Sequence, residues 1–372
     1  MNHDREEDAM QANDGITTAM VGSYTVPDWY SALQRAVEAG ELPPEAFADA
    51  KAVAARAAVK DQEAARLDVV GDGELFRRDD NRFGPPNAMI NHFAAKIPGF
   101  SGELRPKSGI TPVAPEAALP APVVVDELEP TDLGLTEELA FLRAITERPV
   151  KIALTGPHMF ACVAWDEHYR SREALALAMA AVVNAELRRL DDAGCDLIQL
   201  DEPVVWFLAD DREWAVEAIN RSFAGVTHGL RVLHLCQGNY NADPEAHLGL
   251  RIFPAEFDAV RPVLEEAEVD VVHLAFASLG VEDLAPLRDF PRDKALAVGV
   301  VDVQSHRIET PDEVAATLER VVSVLDGSPV VAAPDCGLNH LPRDVAFAKL
   351  QALARGAALV SGTTSAREAA LA

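Results

Sequence analysis

The chain has 372 residues, and its 60 acidic side chains against 33 basic ones give a formal net charge of −27 at pH 7. Such a polyanion is repelled by nucleic acid and by anionic lipid, and we find no local basic patch, so neither is expected as a partner. Hydrophobic residues make up 49% and charged residues 25%, as in ordinary globular proteins. No run of 18 consecutive apolar residues occurs, which predicts no transmembrane helix.

The first segment, residues 1–15, is polar and acidic and predicts a disordered tail rather than a secretory signal. The four cysteines, at positions 162, 195, 236 and 336, lie far apart in the chain. This spacing predicts reduced thiols rather than a disulfide framework. Together these features predict a cytoplasmic protein.

Beyond the tail, short apolar runs alternate with long Ala-rich stretches of helical pattern, which is typical of repeated β-α units. We predict eight strands, at 18–24, 67–74, 150–157, 195–203, 230–239, 269–278, 295–302 and 329–337. We predict helices at 44–66, 171–193, 211–222, 255–267, 311–325 and 342–357.

Eight strands that are apolar on both faces suit a parallel sheet closed into a (β/α)8 TIM barrel, predicted as a single domain over residues 16–372. The alternative is an open, doubly wound sheet. The chain lacks the G-x-G-x-x-G and G-x-x-x-x-G-K-S/T loops of nucleotide-binding open sheets, which favours the barrel. Residues 80–130, rich in Pro, Gly and Asn, resemble neither a helix nor a regular β-α unit. They predict an inserted loop or hairpin after strand two.

The carboxyl ends of barrel strands build the substrate site, so the polar residues that end each run are the candidates for chemistry. His234 and Cys236 are two residues apart on one strand and face the same way, and Cys336 ends the eighth run. One imidazole and two thiolates form a site suited to Zn²⁺. A thiolate-rich zinc favours activation of a substrate thiol, so S-alkylation is the expected reaction.

The ordered strand-end motifs resemble those of the catalytic barrel of cobalamin-independent methionine synthase and its single-barrel relatives, over about residues 17–360. The motifs are VGSYTVPDW, GDGELFRRDDN, ALTGPHM, IQLDEP, LHLCQGN, GVVDVQSHRIETPDEV and APDCGL. The resemblance implies a (β/α)8 barrel with zinc at His234, Cys236 and Cys336. It also implies that a zinc-bound homocysteine thiolate attacks a methyl donor, methylated folate or another small methyl carrier, to give methionine.

The resemblance also implies how homocysteine is held. Ser23 would help hold the substrate carboxylate, and Glu74 and Asp201 would hold its ammonium group. Two carboxylates facing one ammonium supply the paired charge that a partly dry pocket requires. The structural alternatives are that Ser23 and Asp201 cap turns and that Glu74 pairs with Arg77 or Arg78.

The chain departs from the family pattern at two places. Ala275 stands where the family has a fourth zinc ligand, a Glu, so His273, Glu256, water or substrate would have to complete the site. Gln304 replaces a family His that assists proton delivery, and His306 nearby is the candidate acid.

Three alternatives remain open at this point. An epoxyalkane:coenzyme M transferase would use the same zinc-bound thiolate to open an epoxide. It would need an acid for the alkoxide and cations for the sulfonate, such as Arg77, Arg78 or Arg82, which could instead be surface charge. A non-catalytic zinc- or thiol-binding barrel would not need the substrate carboxylates. A porphyrin-handling decarboxylase barrel would not need the two-cysteine site.

Overall fold

The computed structural model describes residues 15–77, 88–109, 119–236, 257–278, 284–325 and 327–371. Its strands are β1 Thr17–Thr18, β2 Phe100–Lys107, β3 Leu119–Val124, β4 Lys151–Thr155, β5 Trp165–Asp166, β6 Leu197–Asp201, β7 Leu230–Leu235, β8 Val271–Ala275, β9 Ala295–Val301 and β10 Val330–Pro334. Its helices are α1 Asp28–Glu38, α2 Pro44–Ala65, α3 Ala88–Ala94, α4 Leu135–Arg143, α5 Pro157–Val163, α6 Arg172–Asp192, α7 Arg212–Phe223, α8 Phe257–Glu266, α9 Pro311–Val322 and α10 Arg343–Leu371.

Seven strands form one curled parallel sheet, in the order β1-β10-β9-β8-β7-β6-β4. Two single-residue bridges connect its edges, because Val69 pairs with Ala19 beside β1 and Val70 pairs with Val150 beside β4. The segment around Val69 therefore takes the place of the predicted second strand. The observed class is the predicted one, α/β with a TIM-type parallel sheet.

The central strands of this sheet are buried on both faces, as their largely apolar sequences predict. Every residue of β6, β8 and β9 is buried. Small apolar side chains from successive strands make a core cluster separate from the main one. Its members are Ala19, Val69, Leu197, Val232, Val271, Ala295, Ala297 and Val331. Layers of side chains of this kind fill the inside of a barrel.

The segment predicted as an insertion contains more regular structure than the sequence indicated. β2 and β3 pair antiparallel, and β3 also pairs in parallel with the short β5. Helix α3 lies in the same segment, where a helix was not predicted, because Ile90 and Phe93 are fully buried and anchor it to the core. The hairpin of β2 and β3 pairs with β5, and β5 follows the short helix α5 directly after β4. The hairpin therefore lies at the carboxyl ends of the parallel strands.

Helix boundaries follow local capping signals. The Thr310 hydroxyl accepts a hydrogen bond from the Glu313 backbone N–H, and the Glu313 carboxylate accepts one from the Thr310 backbone N–H, which forms a capping box at the start of α9. Helix α10 is longer than the predicted 342–357, because Ala- and Leu-rich sequence continues to Leu371. Among the described residues, no helix combines the length and apolar character that crossing a membrane requires.

Candidate metal centre and substrate pocket

Three metal-ligating side chains converge at the carboxyl ends of β7 and β10. His234 lies on β7, Cys236 follows that strand directly, and Cys336 lies two residues beyond the end of β10. One ligand atom from each lies within 4.8 Å of those of the other two. His234 and Cys236 are buried and Cys336 is half-buried. These three residues, named here the strand-end cluster, are thus close enough to share one ion.

The pKa values in the strand-end cluster are shifted by burial, by interactions among its members and by the neighbouring Asp201. The hydrogen bond with the Cys236 thiol, followed by burial, raises the pKa of the Cys336 thiol well above its usual value. Burial disfavours a charged His234, but Cys236 and Asp201 outweigh it and raise the pKa of His234. The Nε2 atom of His234 is buried without a hydrogen-bond partner among the described residues. An unpaired imidazole nitrogen beside two thiols fits Zn²⁺, which binds such donors after they lose their protons.

His273, the candidate fourth ligand, packs against His234. The two residues are paired in register across β7 and β8, and their rings stack with centroids 4.6 Å apart. Their Nδ1 atoms contact each other. Burial and the neighbouring His234 lower the pKa of His273 well below its usual value, so its ring is neutral.

Ala275 is buried at the end of β8, opposite Gly299 of β9. The turn after it is held by Asp335, the residue before Cys336. The Asp335 carboxylate accepts the backbone N–H groups of Phe276 and Ala277, each at 3.0 Å, and that of Ser278 at 2.6 Å. No role for Asp335 was predicted from the sequence, although the APDCGL motif contains it. Asp335 therefore connects the segment that carries Cys336 to the turn that follows Ala275.

The three residues implied for homocysteine binding lie around the same strand ends. Asp201 ends β6 and is paired in register with His234, and burial raises the pKa of its carboxyl group. Glu74 has a left-handed backbone with φ 60°. A side chain at Gly22 would collide with the Glu74 carboxylate, and one at Gly337 would collide with the Ser23 hydroxyl. Backbone strain of the kind at Glu74 concentrates at functional sites.

Lys151, for which no role was predicted from the sequence, interacts electrostatically with the carboxylates of Asp201 and Glu74. Burial lowers the pKa of Lys151 to about 7, against the opposing effect of Asp201 and then Glu74. Its ammonium group donates a hydrogen bond to the Met20 carbonyl. The signal that could have found it is its position at the start of the VKIALTGP run.

Arg77, one of the proposed sulfonate-binding cations, is buried and bonded to the protein itself. Its Nε and Nη2 atoms contact the Glu138 carboxylate, the shortest contact being 2.8 Å, and Nη1 donates to the Ala153 carbonyl at 2.7 Å. Glu74 lies 3.9 Å from Nη1. Burial disfavours the charge, but Glu138 and Glu74 outweigh it and raise the pKa of Arg77.

His306, the candidate acid, is exposed and lines a cavity of about 810 Å³. Other lining residues are Val26, Asp61, His340, Arg343 and Phe347. Arg343 pairs with Asp61 at 2.7 Å across this cavity. Its lining residues lie in the segments after β1, β9 and β10 and on helices α2 and α10. Arg78, Arg82 and Glu256 lie outside the described residues.

The chain is similar in sequence and in structure to cobalamin-independent methionine synthases. The model of the family described as "Cobalamin-independent synthase, Catalytic domain" matches residues 16–359. A methionine synthase from Sulfurisphaera tokodaii is 32% identical over 349 residues, which are 93% of this chain and 92% of that protein. One from Saccharolobus solfataricus is 31% identical over 348 residues, with 93% and 95% covered. The solved B12-independent methionine synthase from Shewanella sp. W3-18-1, in complex with selenomethionine, is similar with a TM-score of 0.80 at 26% identity, covering 95% of this chain and 99% of that one.

Proposed function

The chain belongs to the cobalamin-independent synthase family, and from that premise we propose that it methylates the thiol of homocysteine to give methionine. The strand-end cluster would hold the zinc ion. The observation that carries the proposal is the convergence of His234, Cys236 and Cys336 next to Asp201. The solved relative from Shewanella is described as a complex with selenomethionine, and this supports methionine as the product.

Zinc, when bound by the strand-end cluster, supplies a Lewis acid that lowers the pKa of a substrate thiol and leaves its sulfur nucleophilic. The residues of this chain bind and orient the amino acid. Glu74 and Asp201 accept hydrogen bonds from the substrate ammonium, and Ser23 donates one to its carboxylate. Charge-assisted contacts of this kind are the stronger hydrogen bonds, and they fix the direction in which the sulfur points.

We propose that His273 orients the His234 ring and is not the fourth ligand of the metal. Its Nδ1 contacts the Nδ1 of His234, which leaves the His234 Nε2 as the nitrogen for the metal. Histidines that bind metals are commonly oriented by a hydrogen bond at their second nitrogen. Ala275 has no side chain that binds a metal, so His234, Cys236 and Cys336 would hold the ion and would leave it accessible to the substrate thiol.

The methyl donor, a methylated folate or another methyl carrier, would approach through the cavity of about 810 Å³ that His306 lines. That volume lies within the usual range of small-molecule sites. His306 is the proposed acid that protonates the departing carrier. Its exposed side chain can exchange protons with solvent.

The alternative reaction, addition of coenzyme M to an epoxide, needs free cations for a sulfonate. Arg77 is bonded to Glu138 and to Ala153, so it supports the protein and not a ligand. Glu74 and Asp201 suit an ammonium group, which coenzyme M lacks. These contacts favour the methyl transfer.

The test compares the two reactions in separate mixtures. The zinc-loaded protein is given homocysteine with 5-methyltetrahydrofolate or its polyglutamates, and separately coenzyme M with a small epoxide, and products are identified by mass spectrometry. We expect methionine from the first mixture only. The Glu74→Gln variant should lose that activity, whereas Glu103→Gln, at an exposed hairpin position, should keep it. Turnover of coenzyme M alone would overturn the proposal.

A further inference from the structure

A second group of metal-ligating side chains is buried beside α5, outside the strand-end cluster. His158 and Cys162 lie four residues apart on α5, and Asp211 ends the short 3-10 helix before α7. Their exposed fractions are 0%, 5% and 4%, and one ligand atom from each lies within 4.8 Å of the other two. These three residues are named here the helix cluster.

The distances in the helix cluster match those between ligands of one small cation. The His158 Nε2 lies 3.7 Å from the Cys162 Sγ and 3.4 Å from an Asp211 Oδ2. A tetrahedral zinc site with ordinary bond lengths has edges of about 3.5 Å between nitrogen and sulfur and about 3.3 Å between nitrogen and oxygen. The contact between His158 and Asp211 is long for a hydrogen bond, because an N–H donor normally lies about 2.9 Å from its oxygen acceptor.

Neighbouring groups hold these ligands in the orientation that a metal requires. Arg172 donates to the other carboxylate oxygen of Asp211 at 3.0 Å, which leaves Oδ2 facing His158. The Glu202 carboxylate accepts the backbone N–H groups of His158 at 2.8 Å and Met159 at 2.9 Å, so it fixes the first turn of α5. Such outer carboxylates and guanidinium groups commonly orient metal ligands.

The second ring nitrogen of His158 points to the same arrangement. Its Nδ1 atom is buried, has no hydrogen-bond partner in the described part of the chain, and lies 3.7 Å from Glu202. Leaving a buried polar atom unsatisfied costs about 1–3 kcal/mol. A metal on Nε2 would place the proton on Nδ1, where Glu202 is the nearest acceptor. A histidine joined to a carboxylate on one side and to a metal on the other is a frequent arrangement.

We propose that His158, Cys162 and Asp211 bind a second divalent cation of the zinc class. Mixed nitrogen, sulfur and oxygen donors in a buried setting suit Zn²⁺ better than Mg²⁺ or Ca²⁺, which take oxygen ligands. The ion would join α5, which follows β4, to the segment between β6 and α7. Through Glu202 it would also steady the residue next to Asp201, so its role is structural support of the substrate pocket.

The experiment measures zinc per chain by mass spectrometry after dialysis of the folded protein. We expect about two ions in the unaltered chain, and about one in a Cys236→Ser, Cys336→Ser double variant, since that variant lacks the strand-end site. Adding Cys162→Ser or His158→Gln to the double variant should remove the remaining ion. Cys195→Ser is the matched control, because Cys195 is a buried thiol that belongs to neither cluster and donates to the Leu197 carbonyl.

A second measurement guards against a variant that does not fold. Cobalt(II) added to the double variant should give a thiolate-to-cobalt absorption band from Cys162, and zinc should raise its melting temperature, as a ligand that binds only the folded state must. One zinc in the unaltered chain and none in the double variant would overturn the proposal. So would a zinc ion retained when Cys162→Ser is added to the double variant, or a double variant that gives no such band.

Discussion

The strand-end cluster and the helix cluster offer related donors but are built by different parts of the chain. The first takes one imidazole and two thiols from the carboxyl ends of β7 and β10, and its His234 is paired in register with Asp201. The second takes its imidazole and thiol from one turn of α5 and its carboxylate from a distant turn. Only the first has a half-buried member, Cys336, and lies next to Asp201, which is proposed to bind the substrate ammonium. A metal at the first can meet a substrate, whereas one at the second is enclosed by protein.

The largest effect on activity is expected from replacing a cysteine of the strand-end cluster. Cys236→Ser or Cys336→Ser removes a thiolate from the strand-end cluster, so methyl transfer should fall by more than about 100-fold, beyond the loss typical of an outer-shell change. The helix cluster should keep its ion. Activity and zinc content are measured on the same samples. Full turnover with either variant would show that these sulfurs do not bind the metal.

The buried ion pair between Arg77 and Glu138 tests whether Arg77 is structural. Glu138→Gln leaves the Arg77 charge buried without its partner, so the free energy of unfolding should fall by about 3–5 kcal/mol. Urea titration followed by circular dichroism measures this loss. Glu217→Gln is the control, since it breaks the exposed pair with Arg221 and should cost less than about 1 kcal/mol. Equal, small losses would contradict a structural Arg77 and reopen its role in sulfonate binding.

Glu74, which is proposed to bind the substrate ammonium, distinguishes a site that meets substrate from one that does not. Glu74→Gln removes one charge from the ammonium site, so homocysteine should bind more weakly by about 1–3 kcal/mol. Calorimetry with the zinc-loaded protein reports the change, and both metal contents should stay unaltered. An unchanged affinity for homocysteine would assign Glu74 to the Arg77 network instead.

The smallest expected effect lies far from both clusters. Thr310→Ala removes the capping box of α9 and should lower the free energy of unfolding by about 1 kcal/mol. Zinc content and activity should not change, as both clusters lie outside α9. Thermal unfolding measures the stability, and loss of either metal in this variant would show that the clusters respond to any destabilisation.

The sequence predicted most of the fold and the strand-end cluster for one physical reason. Parallel strands repeat with a period of two and end at one edge, so His234, Cys236 and Cys336 could be expected to meet there. The family resemblance drawn from the strand-end motifs is confirmed by the match over residues 16–359. The position of the second strand was also recognisable, although only Val69 and Val70 pair there.

What the sequence did not predict depends on contacts between distant segments. The helix cluster joins α5 to Asp211, about fifty positions away, and its only local signal is the spacing of four between His158 and Cys162. Asp335 acts on backbone N–H groups almost sixty residues earlier, which no local pattern records. The burial of Arg77 depends on Glu138, whose helix lies beyond the inserted hairpin. Such pairings become visible only when the packing of the elements is known.

X-ray absorption at the zinc edge tests the central assignment most directly. In the Cys162→Ser variant only the strand-end cluster should hold zinc, and we expect two sulfur neighbours at about 2.3 Å with nitrogen at about 2.0 Å. Addition of homocysteine should raise the number of sulfur neighbours to about three. A zinc ion without cysteine sulfur, or a sulfur count that homocysteine does not change, would contradict both the metal site and the proposed reaction.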